Sequence, residues 1–199
     1  KAKFFAGHSL GEYSALAAAE SITYEQALKL LKIRGRSMQS AVPKGEGGML
    51  AVLGTNVTNI KEILNNNYKK YQCFIANDNS IGQIVVSGKT NDISLFADDL
   101  KKAKIKNIKL QVSAPFHCKL MSPATEIMKN EISKTDFKDS EKNIVTNVTA
   151  QEAFKAEEIK RLLISQIESP VRWRESIEYM ISKGTSVFVE IGPGKVLSG

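Results

Sequence analysis

Residues 4–16 read Phe-Phe-Ala-Gly-His-Ser-Leu-Gly-Glu-Tyr-Ser-Ala-Leu, from Phe4 to Leu16. A short apolar run leads into Gly7-His8-Ser9-Leu10-Gly11, and an alanine-rich helical stretch follows at once. A G-x-S-x-G motif between a strand and a helix is typical of a nucleophile elbow, a tight turn that exposes the serine hydroxyl. Glycines at its flanks avoid a clash because they have no Cβ. The stretch predicts that Ser9 is a nucleophile at a helix N-terminus, where the backbone favours developing negative charge. The alternative is a structural turn whose serine only caps the helix.

The composition is that of a soluble globular protein, with 42% hydrophobic and 25% charged residues in a chain of 199. Cys73 and Cys118 give neither a disulfide framework nor metal-ligand spacing, so we expect a reducing compartment. The formal charge of +7 is spread along the chain, which favours a solvated surface or an acidic partner over a nucleic-acid arm. No apolar run is long enough to cross a bilayer. We therefore expect no metal, nucleic acid or membrane partner.

Both ends of the chain interrupt structural patterns. The elbow strand opens the chain at once, and a Gly-Pro-Gly turn near residue 193 leads towards a helix as the chain stops. We therefore expect further sequence on both sides. The location is expected to be cytoplasmic, and an organelle is left open because a targeting segment would lie upstream.

Residues 43–113 predict a ferredoxin-like βαββαβ module of roughly seventy residues. Its expected elements alternate in hydrophobicity and are separated by glycine- and asparagine-rich turns. The strands are expected at 48–54, 71–76, 83–87 and 108–112, and the helices at 57–66 and 91–103.

The flanking sequence predicts an α/β sheet with parallel pairing, because strands alternate with helices. A helix is expected from Tyr24 to Ala41, opened by a capping box of Thr23 and Gln26. The further elements are a helix from about 122, a strand at 143–147, a helix at 156–165, a helix opened by Ser169-Pro170 and a buried strand at 187–191.

Two side chains stand out beyond the elbow. Arg34 lies between Leu31 and Met38 in the apolar stripe of the helix that begins at Tyr24. A buried arginine is costly without an anion, so this pattern favours a structural carboxylate partner, an arginine that reaches the edge, or a substrate carboxylate. The chain has two histidines, and the ring of His8 is expected to point away from Ser9. His117 is then the candidate base by elimination, with a surface loop histidine as the alternative.

Four separated motifs resemble the malonyl-CoA:acyl carrier protein transacylase family of fatty acid synthesis, which is related to polyketide synthase acyltransferase domains. They are Gly-His-Ser-Leu-Gly-Glu-Tyr-Ser-Ala-Leu from Gly7, Ile33-Arg-Gly-Arg-Ser-Met-Gln39, Ala114-Pro-Phe-His-Cys118 and Glu190-Ile-Gly-Pro-Gly-Lys-Val196. The resemblance covers essentially the whole chain. It implies an α/β-hydrolase-like parallel-sheet core at residues 1–42 and 114–199, with the ferredoxin-like subdomain inserted at 43–113.

The resemblance implies a role for each matching residue. Ser9 would be the nucleophile, His117 the general base and Arg34 the group that binds the malonyl carboxylate. The backbone carbonyl of Gln166 would orient the histidine, and the amide of Leu10 would form part of the oxyanion hole. The family's second oxyanion donor is a glutamine of a Gly-Gln-Gly-Ser-Gln-like motif, which this sequence lacks.

The resemblance also implies the substrates and the pocket. The substrates would be malonyl-CoA and the phosphopantetheine thiol of acyl carrier protein, with no cofactor and a monomeric protein. Phe116 beside the base resembles the malonyl-selective pattern. Further candidate pocket residues are Met38, Met49, Asn79, Val112 and Val196.

Three alternatives remain at this point. The chain could be an acyltransferase of a polyketide pathway, or a truncated module that binds carrier protein without turnover. It could also be an α/β-hydrolase-type esterase or thioesterase, which would need an acidic residue for a triad. The aspartates that precede His117 are expected on a surface helix of the inserted module, far from such a position: Asp92, Asp98 and Asp99.

Overall fold

A computed structural model describes residues 2–112 and 114–198, and no helix within these ranges is long and apolar enough to cross a membrane. The predicted domain boundaries at 1, 113 and 199 lie outside the described residues. The strands are β1 (Phe4–Ala6), β2 (Gly47–Leu53), β3 (Cys73–Ser80), β4 (Gln83–Lys89), β5 (Lys106–Lys109), β6 (Asn143–Val145) and β7 (Glu152–Ala153). The helices are α1 (Gly11–Ala18), α2 (Tyr24–Ser40), α3 (Val57–Asn66), α4 (Thr90–Lys102), α5 (Ser122–Ser133), α6 (Ala156–Gln166) and α7 (Trp173–Ser182).

The elbow strand β1 belongs to a small sheet with the order β1-β6-β7. β1 pairs with β6 in parallel, with Phe5 opposite Ile144, whereas β7 is antiparallel to β6. Helices α1, α2, α5 and α6 bury their apolar faces in one cluster with this sheet, around Leu16, Leu30, Met128 and Leu163. The parallel pair brings the carboxyl ends of β1 and β6 to the same edge, where ligand sites form in α/β sheets.

The predicted βαββαβ module is present as β2-α3-β3-β4-α4-β5, which forms an antiparallel sheet with the order β3-β4-β2-β5. Its helices cover one face and bury a second apolar cluster that includes Val52, Ile60, Val86 and Phe96. This strand order is that of a ferredoxin-like fold. The division of the chain into domains at the stated boundaries stays a prediction.

Several boundaries differ from those expected. The strand that begins at Cys73 continues to Ser80, so the turn of its hairpin is only Ile81-Gly82, with Gly82 at a φ of +83°. A residue outside the hairpin stabilises this extension: the backbone N–H of Asp78 donates to the carbonyl of Val171. β5 begins and ends earlier than 108–112.

The helix expected to open at Ser169-Pro170 begins only at Trp173. Val171 is extended instead, because it forms a bridge with Asn77 and donates its N–H to the carbonyl of Ala76. The proline therefore lies before the helix and not at its first position.

The prediction of a buried strand at 187–191 is wrong. The segment has no strand conformation, and Val187, Val189 and Ile191 are exposed, the last by 94%. Its apolar alternation resembles that of a strand, but a strand requires hydrogen bonds to a neighbour. Within residues 2–112 and 114–198 no strand pairs with it.

Candidate active site

The turn that joins β1 to α1 has the geometry of a nucleophile elbow. A Cβ at Gly7 would lie 1.9 Å from the carbonyl oxygen of Gly11, so any side chain there would collide with the backbone. A Cβ at Gly11 would meet nothing within 4 Å outside its own helix, so the expected steric need for glycine holds at Gly7 only. Ser9 has a φ of 53°, a conformation that costs a non-glycine residue free energy.

The structure brings Ser9, His117 and Gln166 together as the resemblance implied. The Oγ of Ser9 lies 2.8 Å from Nε2 of His117, and Nδ1 of His117 lies 2.9 Å from the backbone carbonyl oxygen of Gln166. A carbonyl oxygen only accepts, so Nδ1 carries the proton of the neutral ring. Nε2 is then free to accept the hydroxyl proton of Ser9. The capping alternative is not supported, since no side chain caps α1.

His117 is held in its neutral form. Burial, and after it the nearby Arg34 cation, lower its pKa to about 4, although the hydrogen bond to Gln166 acts in the opposite direction. An imidazole with a low pKa is unprotonated at neutral pH and ready to take a proton. His117 also has a positive φ of 58°, so both partners of the serine–histidine pair have left-handed backbones.

Arg34 is 6% exposed and points into this site from α2. Its Nη2 donates to Ser9 Oγ at 3.0 Å and to the side-chain oxygen of Gln166 at 2.9 Å, and its guanidinium lies 5.8 Å from the ring centre of Tyr13. Its Nε is buried and has no acceptor among the described residues. Burial lowers the pKa of Arg34, and the charge of Glu12 opposes this effect. The guanidinium is thus a fixed cation in contact with the serine hydroxyl, which suits an anionic ligand beside Ser9.

Two buried residues of the site were not predicted from the sequence. Glu12 accepts hydrogen bonds on Oε2 from the backbone of Asn147 at 3.0 Å and from Nε2 of Gln166 at 2.8 Å. Burial raises the pKa of Glu12 to about 7, although these two donors and Arg34 favour its charged form. A signal was present: Glu12 follows the elbow directly, and Asn147 is the last residue of the strand expected at 143–147.

Leu10 lies at the N-cap of α1. No atom in the described ranges accepts a hydrogen bond from its backbone N–H, whereas the next amide, that of Gly11, donates to the carbonyl of His8. The Leu10 amide therefore remains available to an oxyanion that forms at Ser9.

The expected pocket residues separate into three groups. Phe116 and Met49 pack together in a small apolar cluster next to the His117 loop, and Asn79 accepts a hydrogen bond from Nε2 of His8 at 2.8 Å. Met38 is buried in the main core. The remaining two gain no support as pocket residues: Val112 is partly exposed in a loop, and Val196 is 85% exposed beyond residues 187–191.

His8 and the aspartates behave as expected. The ring of His8 bonds to Asn79 and packs edge-on against Trp173, with ring centres 5.6 Å apart, rather than contacting the Ser9 hydroxyl. Three aspartates lie on α4 and bond within the inserted module: Asp92 to Gln72, Asp98 to Lys101 and Asp99 to Lys70. A backbone carbonyl, and not an aspartate, orients His117.

A serine on a nucleophile elbow, a neutral histidine in contact with it and an α/β core define a protein of the serine-nucleophile class. Residues 1–198 match the family described as acyl transferase domain, and the chain belongs to this family.

Similar proteins bear this out. The malonyl CoA-acyl carrier protein transacylase of Bacillus subtilis is 43% identical over 198 residues, which are 98% of this chain and 62% of that protein. The structure of the malonyl CoA-acyl carrier protein transacylase from Coxiella burnetii is 38% identical with a TM-score of 0.96, covering 100% of this chain and 63% of that one. A malonyl-transacylase in complex with a type II polyketide synthase acyl-carrier protein is 37% identical with a TM-score of 0.95, covering 100% of this chain and 65% of that one. The chain thus spans less than two thirds of these relatives.

Proposed function

We propose that this protein transfers the malonyl group of malonyl-CoA to the phosphopantetheine thiol of acyl carrier protein in fatty acid biosynthesis. The observation that carries the proposal is the distance of 3.0 Å from Arg34 Nη2 to Ser9 Oγ. In a malonyl thioester, one methylene group separates the free carboxylate from the reacting carbonyl. An arginine beside the nucleophile therefore lies where that carboxylate must be when Ser9 attacks.

The first half-reaction forms a malonyl-serine ester. His117 Nε2 takes the hydroxyl proton as Ser9 Oγ attacks the thioester carbonyl, and the Leu10 amide donates to the oxyanion. The tetrahedral intermediate collapses, the carbon–sulfur bond breaks, and CoA leaves with the proton from His117. The low pKa of His117 makes the imidazolium short-lived, which favours return of the proton to the leaving thiolate.

The second half-reaction reverses this path with another thiol. The phosphopantetheine thiol gives its proton to His117 and attacks the ester carbonyl, and the carbon–oxygen bond to Ser9 breaks as His117 returns the proton. Every step uses protein groups and the two substrates, so the proposal includes no cofactor. The groups come from one chain, which suits a monomer. The proposed location is the cytoplasm. The charge of +7 suits an acidic carrier protein.

The names of the relatives support malonyl transfer over the alternatives, and the buried Arg34 gives a hydrolase of simple esters no evident advantage. The test supplies malonyl-CoA with carrier protein whose phosphopantetheine is intact and follows both malonyl-carrier protein and free malonate. We expect the carrier protein to receive most of the malonyl groups. Free malonate as the main product would make the protein a thioesterase, and a bound carrier protein without turnover would make it a binding module.

A further inference from the structure

The side chain of Asn147 bonds to the backbone of the elbow at two positions. Asn147 lies two residues after β6, at the carboxyl end of the strand that pairs with β1, and is 1% exposed. Its Oδ1 accepts a hydrogen bond from the backbone N–H of Ser9 at 2.7 Å. Its Nδ2 donates to the carbonyl oxygen of Gly7 at 2.8 Å. One amide group therefore satisfies a donor and an acceptor on either side of the turn.

Asn147 is itself held in place. Its backbone N–H donates to Oε2 of Glu12, which also accepts from Nε2 of Gln166. That same Gln166 nitrogen donates to the carbonyl oxygen of Ser9 at 3.0 Å. Both backbone polar groups of Ser9 thus bond to buried amide side chains. The carboxylate of Glu12 joins the two residues that supply them, through the backbone N–H of Asn147 and the side-chain Nε2 of Gln166.

These contacts bear on the direction of the nucleophile. The φ of 53° at Ser9 is unfavourable for a residue with a Cβ and persists only where the surroundings impose it. This conformation determines where Oγ points, and therefore the distance of 2.8 Å to His117 Nε2. The contacts of Asn147 lie on the two residues that flank His8 in the turn, where a change in conformation would redirect Oγ.

We propose that Asn147 is a positioning residue, which fixes the turn 7–9 so that Ser9 Oγ faces His117. The inference rests on the proposed role of Ser9 as nucleophile, and it does not depend on which acyl group is transferred. Its side chain bonds to the backbone of the elbow, so it acts through Ser9 and not on the substrate.

The first experiment measures how fast Ser9 reacts with a fluorophosphonate, a probe of serine nucleophiles that needs no malonyl recognition. Asn147→Ala should lower the maximal rate of labelling about 10- to 100-fold, because a misplaced Ser9 Oγ reacts more slowly. The probe concentration that gives half of the maximal rate should change little, because binding of the probe depends less on the position of Oγ. Thr146→Val is the matched control. Thr146 is the buried neighbour of Asn147, and its hydroxyl bonds to Thr149 at 2.8 Å, outside the elbow.

Equal losses of rate in Asn147→Ala and Thr146→Val, at equal melting temperatures, would overturn the proposal. So would an unchanged rate in folded Asn147→Ala. An unlabelled wild-type protein would overturn both this proposal and the proposed function. Normal labelling without malonyl transfer would overturn only the proposed function.

The second experiment uses Asn147→Asp, which keeps an acceptor for Ser9 N–H but loses the donor to Gly7 when ionised. Protonation of the new carboxyl group restores that donor, so the labelling rate relative to wild type should rise several-fold from pH 8 to pH 5.5. Charged and titratable groups of the site include Glu12 on α1, Arg34 on α2, His8 and His117. Arg172 also lies close, since its backbone N–H donates to the carbonyl of Asn147. Dividing each rate by the wild-type rate at the same pH corrects for the titration of these groups, which both proteins share. A ratio that stays constant or falls towards pH 5.5 would show that the bond to Gly7 does not position the serine.

Discussion

Ser9 and His117 are 108 residues apart in the chain, yet Ser9 Oγ lies 2.8 Å from His117 Nε2, and both residues have positive φ angles. Such backbone strain is typical of functional sites, where the surrounding structure imposes a conformation that the residue alone would avoid. Here the two strained turns face each other, and each presents its reactive atom to the other. The pair is therefore prepared for proton transfer before any substrate binds.

Replacement of His117 should slow acylation of Ser9 strongly. His117→Ala removes the acceptor of the hydroxyl proton, and a positioned acid–base group is worth about a hundred- to ten-thousand-fold in rate. His8→Ala is the matched control, since His8 is adjacent to Ser9 but bonds to Asn79. Single-turnover acylation by malonyl-CoA measures both. Equal losses in the two folded variants would contradict the assignment of the base.

Replacement of Arg34 should separate malonyl from acetyl transfer. Arg34→Ala removes the donor proposed to bind the malonyl carboxylate, and loss of one partner of such a buried charged pair costs roughly 2–5 kcal/mol. Acetyl-CoA lacks that carboxylate, so its acylation rate should hold or improve relative to malonyl-CoA. Arg34→Lys should restore little, because an ammonium group lacks the planar fork.

Rates of Ser9 acylation by the two thioesters measure this ratio. A parallel fall for both substrates in a folded Arg34→Ala variant would make Arg34 a structural residue that supports Ser9 and Gln166.

Glu12 should make stability depend on pH. Its pKa is raised from 4.5 to about 7 by burial, so between these values the folded state keeps a proton that the unfolded state has lost. Stability from this group therefore falls as pH rises through the window, by up to about 3 kcal/mol. The lowered pKa of His117 acts in the opposite direction between about 4 and 6.5, and the lowered pKa of His8 acts in the same direction as that of His117. The pH dependence of wild-type stability therefore combines the contributions of all three groups.

Glu12→Gln isolates the contribution of Glu12 to the pH dependence of stability, because it leaves His117 in place. Urea unfolding at pH 5 and pH 8 should show that the variant gains stability relative to wild type at the higher pH. A difference in unfolding free energy between the two proteins that does not change with pH would mean that Glu12 titrates normally.

Gly7 should tolerate no side chain. Gly7→Ala would place a Cβ 1.9 Å from the carbonyl oxygen of Gly11, so β1, the elbow or α1 must move. We expect a loss of several kcal/mol in the free energy of unfolding, as for other overpacked sites. Gly11→Ala is the control, since its Cβ meets nothing outside its own helix within 4 Å. Comparable urea midpoints for the two variants would contradict the close approach at Gly7.

Local patterns in the sequence were sufficient for much of the fold. The capping box of Thr23 and Gln26 is present as expected, and α3 has the predicted bounds of Val57–Asn66, because both signals depend on nearby residues. Arg34 was recognisable as unusual since its charge interrupts an apolar stripe.

The features that the sequence did not predict have a common cause: contacts between residues far apart in the sequence determine them. Val171 is extended because β3 bonds to it, and nothing near Pro170 in the sequence indicates this. The alternation of apolar residues at 187–191 predicted a strand, but a strand needs a neighbouring strand to pair with, and no local pattern shows whether one is present. Asn147 was taken as the last residue of a strand, and its bonds to Gly7 and Ser9 depend on the parallel pairing of β1 with β6.

The central claim is that Ser9 accepts a malonyl group with help from His117 and Arg34. The most direct measurement is the intact mass of the protein after brief incubation with malonyl-CoA, followed by peptide mapping. We expect the mass of one malonyl group on Ser9, its absence in Ser9→Ala, and its loss when carrier protein with a free phosphopantetheine thiol is added. A malonyl adduct that persists in Ser9→Ala, or one on Ser9 that carrier protein does not remove, would contradict the account.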